Sequence, residues 1–362
     1  MSLAAIEIDA FIEELERLLD SKIYGTGAQA YVEVQNSVIL DSAFGQSGCA
    51  TMQVSDVHPV YCALKPLMAI GIAILEDSGE LTYETKVSEL MRTDLPFGCK
   101  SETTISELLC HGASLSFPSA ARWRMTPPSD RDALRLVAQP ITKSRYAYSE
   151  ISGWIILGEC IKSLTSMDAD LFLRDSVLRP LGIDTEILVD PSGALDAREQ
   201  DRVRVSIGGL PVESIPMYSE RLRPHLLECH SFFGGYSSMR GLGHFYSSVK
   251  AVMNGATISG LPSMGGVDRL IRCSRQKEWD HILKRHCSFA GGFMTQLNGH
   301  GFGPLVPQSA IGHSAGVANC SVITDARNDF TIAIYLNGVC TRSEDLSFVR
   351  ERIYGSAIRR TR

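Results

Sequence analysis

Segments that read as β-strands lie at both ends of this 362-residue chain, and segments that read as helices lie between them. Residues 28–34 and 38–43 read as two strands joined at Gln35-Asn36, and residues 321–324 and 330–337 alternate around a turn, so each end predicts a hairpin. Strands from both ends are expected to join one antiparallel sheet, with a mainly helical domain inserted between them. The predicted fold class is therefore α/β, of the α+β type.

The same pattern predicts where the domains divide. Residues 1–61 and 288–362 are expected to form the α/β sheet domain, and residues 62–287 the mainly helical domain, with the active site in the cleft between them. The stretch 206–216, which is rich in Pro, Gly and Ser, is expected to be a surface loop. The first twenty residues predict an acidic amphipathic helix.

Composition and charge exclude several classes of protein. Hydrophobic residues make up 44% of the chain, and the net charge is -6, which predicts a globular protein with no nucleic acid and no anionic membrane surface as partner. The acidic first helix does not resemble a secretory signal, and no apolar run is long enough to cross a bilayer. Ten cysteines without a CxxC pair are expected to be mostly reduced. We therefore expect a cytoplasmic protein without cofactor or metal.

The segment from Tyr61 to Pro66 carries the clearest chemical signal. Proline is tolerated in the first turn of a helix, so Pro66 places Cys62 at or just before a helix N-terminus. A separation of three residues puts Lys65 on the same face as Cys62. The helix dipole and a neighbouring ammonium both favour the thiolate form of a cysteine, so a reactive thiol is predicted here.

Several segments together resemble one known family. Residues 58–90, which contain Cys62-x-x-Lys65, are similar to the Ser-x-x-Lys signature of the class C β-lactamases and related esterases, and residues 104–115 are similar to the segment that follows it. Tyr148-Ser149-Glu150 resembles the Tyr-x-Asn motif, residues 230–245 resemble the glycine-rich stretch, and residues 312–316 resemble the Lys/His-x-Gly motif. The order and spacing indicate the serine β-lactamase and penicillin-binding-protein superfamily, with a cysteine in place of the nucleophilic serine.

This resemblance implies a role for each matching residue. Cys62 would be the nucleophile, Lys65 and Tyr148 its proton-handling partners, and His313 an electrostatic and orienting group. The backbone N–H groups of Cys62 and Gly316 would form the oxyanion hole.

Three positions depart from the family pattern. A cysteine nucleophile implies a thioester intermediate. Glu150 stands where asparagine is commonest, and its carboxylate would either bind a substrate amine or pair with Lys65. Ala315 replaces a glycine and adds a methyl group where substrate would approach, and Ser314 beside it is expected to line the same site. This last departure argues most against penicillin binding.

We therefore predict an acyltransferase that works through a Cys62 thioester in cytoplasmic small-molecule metabolism or biosynthesis, with a small-molecule acyl donor and acceptor as partners. One alternative is an esterase or amidase of the same family. A second is a ligand-binding protein that keeps the pocket without turnover.

Simpler interpretations of the same residues stay open. Cys62 would also fit an inert buried cysteine, or an engineered replacement of a natural serine, and His111 is expected to be structural. Gly312-His313-Ser314-Ala315-Gly316 matches the Gly-x-Ser-x-Gly elbow of α/β-hydrolases. That family needs a histidine downstream of the serine, and none of the nine histidines follows His313, which argues against it.

Two further patterns lie between residues 269 and 287. Cys273, His281, His286 and Cys287 lack a recognised metal-ligand spacing. The basic run with Arg272, Arg275, Lys277 and Lys284 predicts a solvated helix face, with a docking surface for an acyl carrier protein or a phosphate-bearing donor as the second interpretation.

Overall fold

A computed structural model describes most of the chain. It covers residues 4–47, 50–91, 95–115, 146–190, 235–315, 318–339 and 343–360, together with 118, 122, 126, 206–207 and 210–211. Within these residues, no helix combines the length and the apolar character needed to cross a bilayer.

One antiparallel sheet of nine strands forms the centre of the fold. From one edge to the other, its strands are β10 (Ser274–Asp280), β11 (Arg285–Ala290), β12 (Phe293–Thr295), β13 (Ile311–Ser314), β14 (Ala318–Asp325), β15 (Phe330–Val339), β2 (Gly27–Val34), β3 (Ser37–Ser47) and β4 (Ala50–Thr51). Strand β15 pairs with β2 along its length, with Ala28 opposite Leu336. The two ends of the chain therefore meet in one sheet, and the predicted fold class is confirmed.

Short strands pair outside this sheet. They are β1 (Ala4–Ile6) with β16 (Ile358–Arg360), β9 (Tyr236–Ser237) between β5 (His58–Pro59) and β6 (Ile187–Leu188), and β7 (Ser206–Ile207) with β8 (Leu210–Pro211). The strands β7 and β8 lie within the stretch 206–216 that was predicted to be a surface loop, and they pair with each other. The rest of that stretch lies outside the described residues.

Helices cover both faces of the large sheet. They are α1 (Ile8–Asp20), α2 (Lys65–Asp77), α3 (Val87–Leu90), α4 (Ile105–Leu109), α5 (Ser152–Thr165), α6 (Ala169–Leu173), α7 (Met239–Met253), α8 (Met264–Arg272) and α9 (Ser343–Ala357). Helices α1 and α9 pack together and share one hydrophobic cluster with the sheet, and α2, α5 and α7 belong to the cluster on the other side. The predicted N-terminal helix is confirmed over Ile8–Asp20, whereas Ala4–Ile6 form strand β1, and the predicted hairpins are confirmed.

Helix α2 is surrounded by protein on all sides. Every residue from Lys65 to Ala73 is buried, including the lysine. A helix that is apolar all round must sit inside a core rather than on a surface. The element that carries Lys65 is therefore held rigidly.

The sheet begins earlier than the sequence indicates. Strands β10 and β11 belong to it, so the predicted domain boundary between residues 287 and 288 falls inside β11. The sequence does not predict strand β10, because only Arg275 and Asp280 are buried among its seven residues and neither is apolar. Its basic side chains therefore lie on a strand, which corrects the prediction of a helix face.

Helices α1 and α9 are joined by a carboxylate that titrates at unusually low pH. Hydrogen bonds from Arg17, and then those from Arg352, lower the pKa of Glu14 to about 2 from 4.5. A lowered pKa in the folded state stabilises the fold above about pH 4.5, and this contribution is lost as the pH falls towards 2. Both guanidinium groups are about half exposed, so water weakens the interaction.

We therefore expect Glu14→Gln to lower the free energy of unfolding by about 2 kcal/mol at neutral pH and by almost nothing near pH 2. Urea titrations of both proteins across this range measure the difference. Buried neutral histidines such as His300 destabilise both proteins equally in acid, so they do not affect the difference in free energy of unfolding between the two proteins. A difference that stays constant with pH would contradict this account.

Candidate active site

A tight turn positions Cys62 at the entrance to helix α2. Residues Tyr61–Leu64 form a 3₁₀ turn that runs directly into α2, whose second residue is Pro66. Tyr61 has a φ of 45°, a conformation that costs free energy in a non-glycine residue. The turn is held in place because the Tyr246 hydroxyl on α7 donates to the Ala63 carbonyl, at 3.2 Å.

Cys62 is the most accessible of the cysteines that the structure describes. Its side chain is half-buried and is not in a disulfide, whereas the other six described cysteines are buried. Burial raises the pKa of the Cys160 and Cys273 thiols to about 12 and that of Cys287 to about 11. Reagents that need a thiolate should therefore meet little competition from these buried groups.

Lys65 is fully buried beside this turn. Its Nζ donates to the backbone carbonyl of Glu150 at 2.6 Å and lies 5.0 Å from the centre of the Trp154 ring and 5.9 Å from that of Tyr148. Carbonyl oxygens and aromatic faces are favourable surroundings for a cation in a desolvated position. The ammonium of Lys65 is thus fixed one helical turn from Cys62.

Tyr148 faces the sulfur of Cys62. Its ring is buried, and its hydroxyl interacts with the Cys62 side chain. Burial, and then the nearby negative charge of a Cys62 thiolate, raise the pKa of Tyr148 well above its usual range. Tyr148 is therefore a neutral phenol at neutral pH, and it serves the sulfur as a hydrogen-bond donor rather than as a base.

His111 supports Tyr148 from behind. The two rings lie 4.3 Å apart, and His111 Nδ1 accepts a hydrogen bond from the backbone N–H of Ser149 at 3.0 Å. Burial, and then the charge of Arg275, lower the pKa of His111 well below its usual value. A neutral, packed ring that orders the 148–149 backbone agrees with the structural role expected from the sequence.

His313 lies on β13, the strand next to the turn that carries Cys62. It is fully buried, and burial, followed by the charge of Lys65, lowers its pKa well below the usual value. A neutral imidazole orients a neighbour through hydrogen bonds, but it contributes no positive charge. Of the two roles predicted for His313, orienting a neighbouring group fits this geometry better than supplying charge to the site.

The other predicted residues differ in how well they can be placed. Ser314 is buried with its hydroxyl 3.8 Å from the Met294 sulfur, and Ala315 is buried in the core with its N–H donated to the Cys320 carbonyl. Substrate contact by these two residues stays a prediction. Gly316, the predicted second donor of the oxyanion hole, lies outside the described residues.

Glu150 contacts Lys65 through its backbone. The Lys65 ammonium hydrogen-bonds to the Glu150 carbonyl oxygen, and the Glu150 carboxylate is close enough for its charge to raise the pKa of Tyr148. An anionic, half-buried side chain beside Tyr148 is suited to bind a cationic group of a substrate.

Sequence reasoning missed three side chains around this centre. Trp154 supplies an aromatic face to Lys65, and Arg275 and Asp280 form a buried ion pair next to Tyr148. Trp154 lies within the segment that resembles the family, but nothing in its spacing indicates contact with Lys65. Arg275 belongs to the basic run that was predicted to be exposed. Arg269, in the same region, forms ion pairs with Glu76 and Asp77. The run is therefore not one continuous cationic surface.

The described part of the site brings together three of the groups predicted to take part in acyl transfer. A half-buried thiol at a helix N-terminus lies beside a neutral phenol, and a fixed ammonium lies one turn along the helix. Among the described residues, no group of three or more His, Cys, Asp or Glu side chains is arranged to hold a metal ion.

Comparisons with known proteins identify the family of the chain. The Beta-lactamase family matches residues 15–351. No curated protein matches the chain.

Solved structures share the fold. A novel penicillin-binding protein homolog from Caulobacter crescentus is 21% identical, with a TM-score of 0.73 over 98% of this chain and 100% of that one. A family VIII carboxylesterase is 19% identical, with a TM-score of 0.72 over 96% of both chains. EstCE1, a hydrolase with promiscuous acyltransferase activity, is 13% identical, with a TM-score of 0.70 over 96% of this chain and 99% of that one. Since the family match spans nearly the whole chain, this protein belongs to the β-lactamase family, which contains hydrolytic and acyl-transferring enzymes.

Proposed function

We propose that this protein is an acyltransferase that carries the acyl group as a thioester on Cys62. The observation that carries the proposal is the interaction between the Tyr148 hydroxyl and the Cys62 side chain, next to the buried ammonium of Lys65. A position next to a helix N-terminus, a cation and a hydrogen-bond donor, such as that of Cys62, is typical of reactive cysteines rather than of structural ones.

The first half of the reaction loads the enzyme. The Cys62 sulfur forms a bond to the carbonyl carbon of an acyl donor, and the bond from that carbon to the donor's leaving oxygen or sulfur breaks. The leaving atom takes the proton of the Tyr148 hydroxyl, and the proton that the thiol lost on forming its thiolate is returned to Tyr148. The Lys65 ammonium favours negative charge on the sulfur before attack.

The second half transfers the group. An amine, alcohol or thiol attacks the thioester carbon, the bond from that carbon to sulfur breaks, and the acceptor's proton returns to the sulfur. Amines react readily with thioesters. In an acceptor with two amino groups, one would attack the thioester, and the Glu150 carboxylate beside Tyr148 is suited to bind the other as an ammonium group. This favours transfer to an amine over release to water.

Release of p-nitrophenolate from p-nitrophenyl acetate tests the proposal. We expect a burst of about one equivalent per chain, followed by a slower phase that an added diamine accelerates about 10-fold or more, with the acetylated diamine as product. Products are separated by liquid chromatography and identified by mass spectrometry.

Other product patterns distinguish the alternatives. A burst followed by free acetate alone, unaffected by the amine, would favour the hydrolase and contradict transfer. Absence of any burst with this ester and with an N-acetylcysteamine thioester would favour a binding protein without turnover.

A further inference from the structure

We propose that the buried ion pair between Arg275 and Asp280 is a positioning device that holds Tyr148 against Cys62, an inference that rests on the proposed function. Both side chains belong to β10, and they are the buried residues of that strand, at 1% and 0% exposure. An ion pair that is removed from water is rarely more stable than an apolar pair of the same size. A role beyond stability is therefore expected for it.

Asp280 joins the hairpin β10–β11 to the segment that carries Tyr148. One carboxylate oxygen, Oδ2, pairs with Arg275 Nη2. The other, Oδ1, accepts hydrogen bonds from the backbone N–H groups of Tyr148 at 3.2 Å, Ile282 at 2.9 Å and Leu283 at 2.8 Å. One side chain thus fixes both the hairpin turn and the backbone of the tyrosine.

Arg275 supports the same segment through aromatic rings. Its guanidinium carbon lies 5.3 Å from the centre of the Tyr146 ring and 4.8 Å from that of Phe289. Phe289 packs against His111 and Tyr148, with ring centres 4.7 Å and 5.7 Å away. Arg275 therefore backs the stack that holds the tyrosine ring, while Asp280 holds its backbone.

A second backbone contact reinforces this docking. The N–H of His281, next to Asp280, donates to the Tyr146 carbonyl at 3.2 Å. The segment 146–148 is thus attached to the hairpin at two points, one on each side of Ala147. Displacing a reacting group by about 1 Å can reduce a rate about 100-fold, so this attachment bears on the contact between Tyr148 and Cys62.

The pH dependence of Cys62 alkylation by iodoacetamide, followed on the Cys62 peptide by mass spectrometry, tests this inference without any acyl substrate. A phenol that donates to a thiolate favours the charged sulfur and lowers the midpoint of the profile. The titratable groups around Tyr148 are Cys62, Lys65, His111, Glu150, Asp280, Arg275 and His313.

The main variant combines Arg275→Met with Asp280→Leu, which replaces the pair by apolar side chains and removes the oxygen that Tyr148 uses. We expect its midpoint to rise by about one pH unit. The same pair of changes in a Tyr148→Phe protein should add no further shift, because the donor that it positions is already absent. A purely structural pair would not show this dependence on the tyrosine hydroxyl.

A matched control uses another buried cation, Lys250 on helix α7. Lys250 is fully buried and pairs with Asp329 and Glu33, away from Tyr148. Lys250→Met with Asp329→Asn should destabilise the protein and leave the midpoint unchanged. If the leucine variant does not fold, Asp280→Glu keeps the charge and moves the oxygens by one methylene, and we expect a rise of about half a pH unit.

The inference is overturned if the folded variant with Arg275→Met and Asp280→Leu, or Asp280→Glu in its place, keeps the midpoint of the parent protein. It is also overturned if the same changes shift the midpoint equally in the Tyr148→Phe protein. The proposed function fails by a different result, the absence of an acyl group on Cys62 in the parent protein. The two failures are therefore distinguishable.

Discussion

Cys62→Ala is expected to abolish acyl transfer, with a fall in kcat of about 10⁴-fold or more. The alanine variant cannot form the covalent intermediate, so no burst of p-nitrophenolate should remain. Stability should change little, because the sulfur is only half-buried and its removal leaves a small cavity. Stopped-flow measurement of the burst, with circular dichroism to check the fold, provides the comparison.

Cys110→Ala is the matched control for this variant. Cys110 is buried in the same hydrophobic cluster as Tyr148, so its replacement also removes one thiol near the site. Transfer should continue at the parent rate. Equal turnover by the Cys62→Ala variant and the parent, for any acyl substrate, would show that the chemistry lies elsewhere in the protein.

Cys62→Ser is expected to make the reaction depend strongly on the neighbouring groups. A hydroxyl, unlike a thiol, needs a partner to take its proton as it attacks. In the serine variant, Tyr148→Phe or Lys65→Met should therefore slow acylation by about 10²- to 10⁴-fold. In the cysteine protein, Tyr148→Phe should slow it by less than about 10-fold, because a thiolate forms without a strong base.

Acylation rates of the five proteins, measured in single turnovers, give this comparison directly. Phenylalanine keeps the ring that packs on His111, so Tyr148→Phe tests the hydroxyl alone. Equal sensitivity of the serine and cysteine proteins to the loss of Tyr148 would contradict the roles assigned to the thiol and the phenol.

The architecture was predictable because its signals are local. Short strand-like segments on either side of a turn, within residues 28–43 and 321–337, identify the paired strands, and Pro66 identifies the start of the buried helix. The motif around Cys62 and Lys65 identified two site residues because a spacing of three fixes their relation on a helix. Tyr148 came from the family resemblance, since nothing local ties it to Cys62.

The surroundings of these residues were not predictable in the same way. Arg275 and Asp280 lie in a polar run that is typical of a solvated surface, and their burial depends on the packing of the 146–148 segment on the hairpin. The neutrality of His313 likewise follows from complete burial near Lys65, which no pattern within residues 312–316 records. Long-range packing decides the charge of such groups, and one sequence does not encode it locally.

Mass spectrometry of the protein quenched in acid shortly after mixing with p-nitrophenyl acetate tests the central claim most directly. The account predicts the added mass of one acetyl group, located by peptide mapping on Cys62 and released by neutral hydroxylamine as expected for a thioester. The same treatment of the Cys62→Ala variant should add no mass. An acetyl group on another residue in both proteins, or none on the parent while p-nitrophenolate is released, would contradict the account.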